Sequence, residues 1–246
     1  MSRFFVNPGD IVGDKAFLYG DDVKHILKVL RLVIGDTVTL CDGVGYDYEA
    51  RLIEAQKDRI AFTIVQKTAC ENEPTCRVTL YQGLPKAGKM EIILQKCVEL
   101  GVVKIVPFAA QRSVVRLDAK EALQKQERYR RIAYEAAKQA RRGIVPQVGD
   151  ILPLSGLDFS EHDILLIAYE EECERTLKAA LRTAKEKKGD LKSVGFIVGP
   201  EGGLTAKEVA FAKRNGGESI TLGKRILRTE TAGMALAAML FYDLEG

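Results

Sequence analysis

Arg228 closes the stretch "LGKRIL" and opens "RTET", so that a permanently charged guanidinium sits one residue before Thr229 and two before Glu230. A planar fork of donors just before a helix suits an anion, or a solvated surface position. The segment leads into an apolar, alanine-rich run that reads as a helix. A helix N-terminus favours anions, and Thr229 or Thr231 is placed to cap it. A second reactive stretch is "IVGPEGGLT", residues 197–205. Its apolar run ends at Val198 and breaks into Gly199, Pro200, Glu201, Gly202 and Gly203. Glycines let a ligand approach the backbone, and Glu201 adds a titratable carboxylate. Thr205 with Glu208 three residues later is a capping box, so the segment reads as strand, glycine loop, helix. The third stretch is "AYEE", where Ala168, Tyr169 and Glu170 end another apolar run. Loops of this form gather at one end of a parallel sheet, where α/β folds bind ligands.

"GLPKAGKM", residues 83–90, offers a different chemistry. Its Gly-x-x-x-x-Gly-Lys spacing is that of a phosphate loop, but the Ser or Thr that would bind magnesium is replaced by Met90. A triphosphatase is therefore one open reading. The other is a lysine-bearing loop in which Lys86 and Lys89 meet RNA.

These loops need elements to hold them. From residue 76 onward, apolar strands such as "RVTLYQGL", "VKIVPF", "DILLIAYEE", "SVGFIV" and "ESITL" alternate with helical stretches, which predicts a mainly parallel α/β sheet. The first part is different. "KAFLY", "DTVTLCDG", "YDYEARLIEA" and "RIAFTIVQK" read as short strands around the helix "DDVKHILKVLR", which predicts a small β-barrel. The polar, proline-containing "CENEPT" marks the boundary, giving domains 1–72 and 73–246.

Composition narrows the function. The 246 residues are 46% hydrophobic and 29% charged, as in ordinary globular proteins. No apolar run approaches a membrane span and the N-terminus lacks a signal-like apolar region, so no membrane partner is expected. Five scattered cysteines without a Cys-x-x-Cys pair suggest reduced thiols in the cytoplasm, and two distant histidines make a metal centre unexpected. The net charge is only +3, yet residues 120–142 alone carry eight Lys or Arg against three Glu. A local basic stripe on a long helix suits a polyanion.

Four stretches together, "GLPKAGKMEIILQKCVELGV", "RIAYEAAKQARRGIVPQV", "FIVGPEGGLTAKEV" and "LGKRILRTETAGMALAAM", resemble the RsmE family of 16S ribosomal RNA uridine N3-methyltransferases, members of the SPOUT superfamily. The likeness spans nearly the whole chain, and "VLR" and "CDG" in the first part are similar to the family's PUA-like RNA-binding barrel. The resemblance implies a C-terminal trefoil knot, an exception to the rule that chains do not thread loops. It implies S-adenosylmethionine as cofactor, a homodimer, and 16S rRNA as partner, within the small ribosomal subunit. The donor pocket would be walled by Ala168, Tyr169 and Glu170, by Val198, Gly199, Pro200, Glu201, Gly202 and Gly203, and by Leu222, Gly223, Ile226, Leu227, Arg228 and Thr231.

Uracil N3 becomes a good nucleophile only when its proton leaves, and transfer from a sulfonium needs in-line placement. The resemblance makes Arg228 the expected catalytic residue, placed to stabilise charge on the flanking carbonyl oxygens. Glu201 or Glu230 is the expected base, provided burial raises its pKa. RNA should be held mainly through phosphates. Arg3, His25 and Arg31 in the barrel are candidates, with Lys86, Lys89, Arg112, Lys138, Arg141 and Arg142 in the second domain. A non-catalytic RNA-binding module remains a third reading.

Overall fold

The computed structural model describes residues 2–86, 88–115 and 117–245. Its contacts divide the chain into two units, Met1–Glu73 with Ala137–Val145, and Pro74–Ala136 with Pro146–Gly246.

The first unit is built on β1 (Arg3–Phe5), β2 (Ile11–Val12), β3 (Lys15–Tyr19), β4 (Thr37–Cys41), β5 (Tyr46–Ala55) and β6 (Arg59–Ala69). They form one six-stranded sheet in the order β1-β4-β5-β6-β3-β2, antiparallel except for the β1–β4 pair. Alternation decides which face is buried: Ala16 and Leu18 of β3 turn inward while Lys15 and Tyr19 turn outward. Two register shifts in the β5–β6 pair bend the sheet, giving a curled sheet where the sequence predicted a barrel. Helix α1 (Asp21–Lys24) runs into a π-helical turn at His25–Leu30. Val23 and Ile26 plug the core formed by Phe4, Leu40, Leu52 and Phe62. The turn ends where Arg31 adopts a left-handed conformation, φ 54°.

Residues 137–145 cluster with this unit, although chain continuity alone assigned them to the second. The reason is the half-buried carboxylate of Glu73. Glu73 accepts from Nε and Nη2 of Arg142 at 2.9 and 2.7 Å and from the backbone N–H groups of Gly143 and Ile144.

The second unit carries β7 (Arg77–Gly83), β8 (Lys104–Ala109), β9 (Gln147–Val148), β10 (Leu152–Pro153), β11 (Ile164–Ala168), β12 (Ser193–Val198) and β13 (Gly217–Ile220). The order is β10-β8-β7-β12-β11-β13, with β9 beside β8, and every pair is parallel. Strands covered on both faces read as unbroken apolar runs, and Ile164–Ile167 and Val194–Val198 are buried along their length. The connecting helices are α2 (Lys89–Leu100), α3 (Ala119–Gln139), α4 (Leu177–Lys188), α5 (Ala206–Arg214) and α6 (Thr229–Glu245). Helix α6 packs on α2 and on β7 and β12. None of the described helices is long and apolar enough to cross a membrane. Because the strands all point one way, the loops after β12, β11 and β13 emerge at the same edge.

Candidate active site

Those three loops enclose a cavity of about 1050 Å³. The three adjacent strands β12, β11 and β13 end at Val198, Ala168 and Ile220, so their loops are brought together by sheet order alone. The cavity is lined by Ala168 to Glu170, by Val198 to Gly203, and by Leu222, Gly223, Ile226, Leu227 and Arg228. Every expected donor-pocket residue except Thr231 is on this wall.

Thr231 requires a correction. It is exposed and outside the cavity, whereas Thr229 and Ala232 line it. Successive helical residues rotate by about 100°, so the inward phase that holds 229 and 232 turns 231 to solvent. Neither threonine hydroxyl caps α6 through its first free N–H groups. Ala232 N–H donates instead to the Arg228 carbonyl at 2.8 Å. The Thr229 hydroxyl donates to Gly199 O at 2.6 Å and accepts from Gln82 Nε2 at 2.9 Å. The first turn of α6 is thereby tied to the glycine loop and to the end of β7.

The glycine loop is packed too closely for side chains. A Cβ on Gly199 would lie 3.0 Å from Gly203 C, and one on Gly202 would lie 2.9 Å from Arg112 Cβ. Arg112 spans the loop from outside, donating to Gly202 O at 3.2 Å and Leu204 O at 3.4 Å. The capping box is formed as expected, with Thr205 and Glu208 bonded reciprocally. Glu208 also accepts from Gln111 N–H at 2.8 Å, which anchors the loop to the end of the neighbouring β8 segment.

Glu201 does not meet the condition set for a base. Desolvation pushes its carboxyl up, but its own backbone N–H, the Lys89 ammonium and the Lys86 N–H together outweigh this and hold it below the usual range. Glu230 behaves alike, held low against desolvation by its own N–H, by Lys89 and by the field of Arg228. Lys89 Nζ lies 3.1 Å from both carboxylates. A further carboxylate, Glu172 on the cavity wall, is held down to about 2 by the Ser219 hydroxyl and the N–H groups of Glu174 and Arg175. All three are bound anions at neutral pH, poor proton acceptors.

Arg228 is exposed at the cavity, and no carboxylate or carbonyl among the described residues bonds its guanidinium. Ile226 beside it is 89% exposed, an apolar side chain left without cover. An unbound guanidinium next to an apolar flap is an arrangement for gripping an oxygen-rich planar group.

"GLPKAGKM" is not a phosphate loop, apart from Ala87, which lies outside the described residues. A Cβ on Gly83 would meet Pro200 Cδ at 2.6 Å, so that glycine serves contact with the glycine loop. Lys86 N–H bonds Glu201, and Lys89 bridges two carboxylates. Among the described residues of the stretch, the Lys86 N–H and the Lys89 ammonium are therefore turned to carboxylates instead of a bound phosphate.

The expected RNA contacts fare unequally. His25, Arg31, Lys86 and Arg141 are exposed. Arg142 is 3% exposed and belongs to Glu73; Arg3 pairs with Asp47 at 2.7 Å and donates to Arg142 O. Both are corrected to internal ties of the first unit. Lys138 is half-buried and paired with Asp22. The sequence reading missed Glu172, Cys173, Thr176, Thr221 and Lys224 on the cavity wall. Adjacency to "AYEE" and "LGKRIL" was their only available signal.

Residues 71–241 match the family described as RNA methyltransferase domain, and residues 18–65 match RNA methyltransferase PUA domain. Ribosomal RNA small subunit methyltransferase E of Bacillus subtilis (strain 168) is 36% identical over 92% of this chain and 89% of its own. The protein of the same name from Synechocystis (strain ATCC 27184 / PCC 6803 / Kazusa) is 31% identical over 99% and 78%. A crystal structure of ribosomal RNA small subunit methyltransferase E from Neisseria gonorrhoeae, bound to S-adenosyl methionine, superposes with a TM-score of 0.82. It is 34% identical, covering 98% of this chain and 97% of that one.

Proposed function

The chain belongs to the ribosomal RNA small subunit methyltransferase E family, and on that premise we propose that its three-loop cavity binds S-adenosylmethionine and serves methylation of uridine N3 in 16S rRNA. The observation that carries this reading is the cavity itself: all three loop segments expected to wall the donor pocket converge there, with Arg228 at the opening. The residues fit such a donor. Gly203 has φ +69° and carries the loop past the Glu170 carboxylate where a Cβ would not fit, and Ile226 and Leu227 supply apolar cover. When bound, the donor supplies an electrophilic methyl on a sulfonium.

The chain's own residues do the rest. Arg228 holds the uracil carbonyl oxygens and favours the ring once N3 has lost its proton. The glycine loop fixes the direction from which N3 can be reached, so that catalysis is mainly positioning. Glu201 on the wall and Glu230 in the first turn of α6 are bound as anions and do not carry the proton. Exposed Arg31 and Arg141, together with the exposed His25 ring, are the phosphate-contact candidates of the first unit, and exposed Lys86 is that of the second. Arg112 steadies the glycine loop through its bonds to Gly202 O and Leu204 O.

The C-terminal loops are read as the trefoil knot of the family, supported by β13 entering beside β11 before the chain returns through Thr229 to β7 and β12. A homodimer acting in the cytoplasm on the small subunit is the matching assembly. Its support is the uncovered outer side of α6, where Met239 and Tyr242 are 39% and 86% exposed.

Titration calorimetry tests the cavity. S-adenosylmethionine should bind near one per chain while magnesium-ATP gives no heat. ATP binding without donor binding would overturn the reading.

A further inference from the structure

A lysine at the first position of a helix sits against the positive end of the helix dipole, where a cation is unfavourable. Lys89 occupies that position in α2, directly after Gly88, whose φ of +84° forms the N-cap. Its ammonium has turned back to stand 3.1 Å from Glu201 and 3.1 Å from Glu230, the latter as an ion pair without an aligned hydrogen bond. Glu201 lies at the centre of the glycine loop, and Glu230 lies in the first turn of α6, two residues past Arg228. Lys86 N–H adds a second hold on Glu201, at 3.1 and 3.2 Å to its two oxygens.

We infer that Lys89 is a positioning residue, whose ammonium fastens the glycine loop to the helix start that carries Arg228. The inference rests on the reading of these two segments as donor wall and catalytic arginine. An ammonium already engaged by two carboxylates makes a poor anchor for RNA phosphate. Without the ammonium, Glu201 and Glu230 would face each other as like charges and push the two segments apart. The Lys89, Glu201 and Glu230 side chains are 27%, 26% and 17% exposed, so screening keeps each leg modest in stability. The consequence lies in geometry. A shift of about 1 Å between reacting groups costs on the order of 10²-fold in rate.

The test compares Lys89→Met and Lys89→Arg with wild type, using S-adenosylmethionine and small-subunit rRNA. For Lys89→Met, kcat should fall about 10²-fold, with donor Kd changed less than about fivefold and the salt slope of RNA binding unchanged. Lys89→Arg should restore most of kcat. Amide hydrogen exchange should quicken in Lys89→Met over residues 199–205 and 226–232 together, and return in Lys89→Arg. A salt slope lower by about one with unaltered kcat would make Lys89 a phosphate ligand and overturn the inference. Unchanged exchange in both segments would overturn it also. If wild type transfers no methyl group, the functional reading fails, while the exchange comparison still decides whether the clamp exists.

Discussion

The Thr229 hydroxyl gives its proton to the Gly199 carbonyl at 2.6 Å and takes one from Gln82, so one buried oxygen joins the ends of β7 and β12 to the start of α6. A hydroxyl that both donates and accepts in a buried site is costly to remove, because its partners are left unpaired. Thr229→Val, which keeps the shape and loses the hydroxyl, should destabilise the protein by about 1–3 kcal/mol. Donor affinity should fall with it, as the Gly199 carbonyl is released. Thr229→Ser should retain both. Thermal melts and donor titrations of the two variants separate the hydroxyl from the methyl; equal behaviour would dismiss the tie.

The pH dependence of methyl transfer follows from the two carboxylates that Lys89 bridges. Glu201 and Glu230 are held below their ordinary range and are ionised well before neutrality. Neither can give an inflection near pH 7. The single-turnover rate should therefore climb about tenfold per pH unit between pH 6 and 8, following ionisation of the uracil ring itself. A plateau in that window, lost in Glu201→Gln, would restore a carboxylate base.

Away from the cavity, His162 sets a stability limit on the acid side. Its side chain is 2% exposed, with Nε2 2.8 Å from the Tyr81 hydroxyl and Nδ1 buried without a partner. Desolvation lowers its pKa; the nearby Glu161 and Asp158 oppose this, while Lys104 and Arg77 add to it. The unfolded chain thus binds a proton that the folded chain refuses. Stability from this group is complete above about pH 6.5 and declines as pH falls below it. Melting temperature should drop between pH 7 and 5, and His162→Asn, less stable at pH 7, should show a shallower drop. Parallel declines would contradict the assignment.

How much of this was written in the sequence depends on the range of the interaction. The glycine loop and the Thr205–Glu208 cap are local signals, and each fell where the spacing put it. The parallel sheet followed from unbroken apolar runs. Thr231 was misplaced because helix phase depends on the starting residue, which pattern alone leaves open by one or two positions. Glu201 was misjudged because its pKa is set partly by Lys89, a neighbour only after folding. Arg3 and Arg142 looked like surface cations for the same reason: Asp47 and Glu73, which hold them, are remote in the chain.

The central claim is that the three-loop cavity and Arg228 methylate uridine N3. Nucleoside mass spectrometry of small-subunit rRNA after incubation with the protein and S-adenosylmethionine tests it most directly. Wild type should yield 3-methyluridine, and Arg228→Ala should lose it by about 10²–10³-fold with donor affinity retained within about tenfold. A different methylated nucleoside, or wild-type yield from Arg228→Ala, would contradict the account.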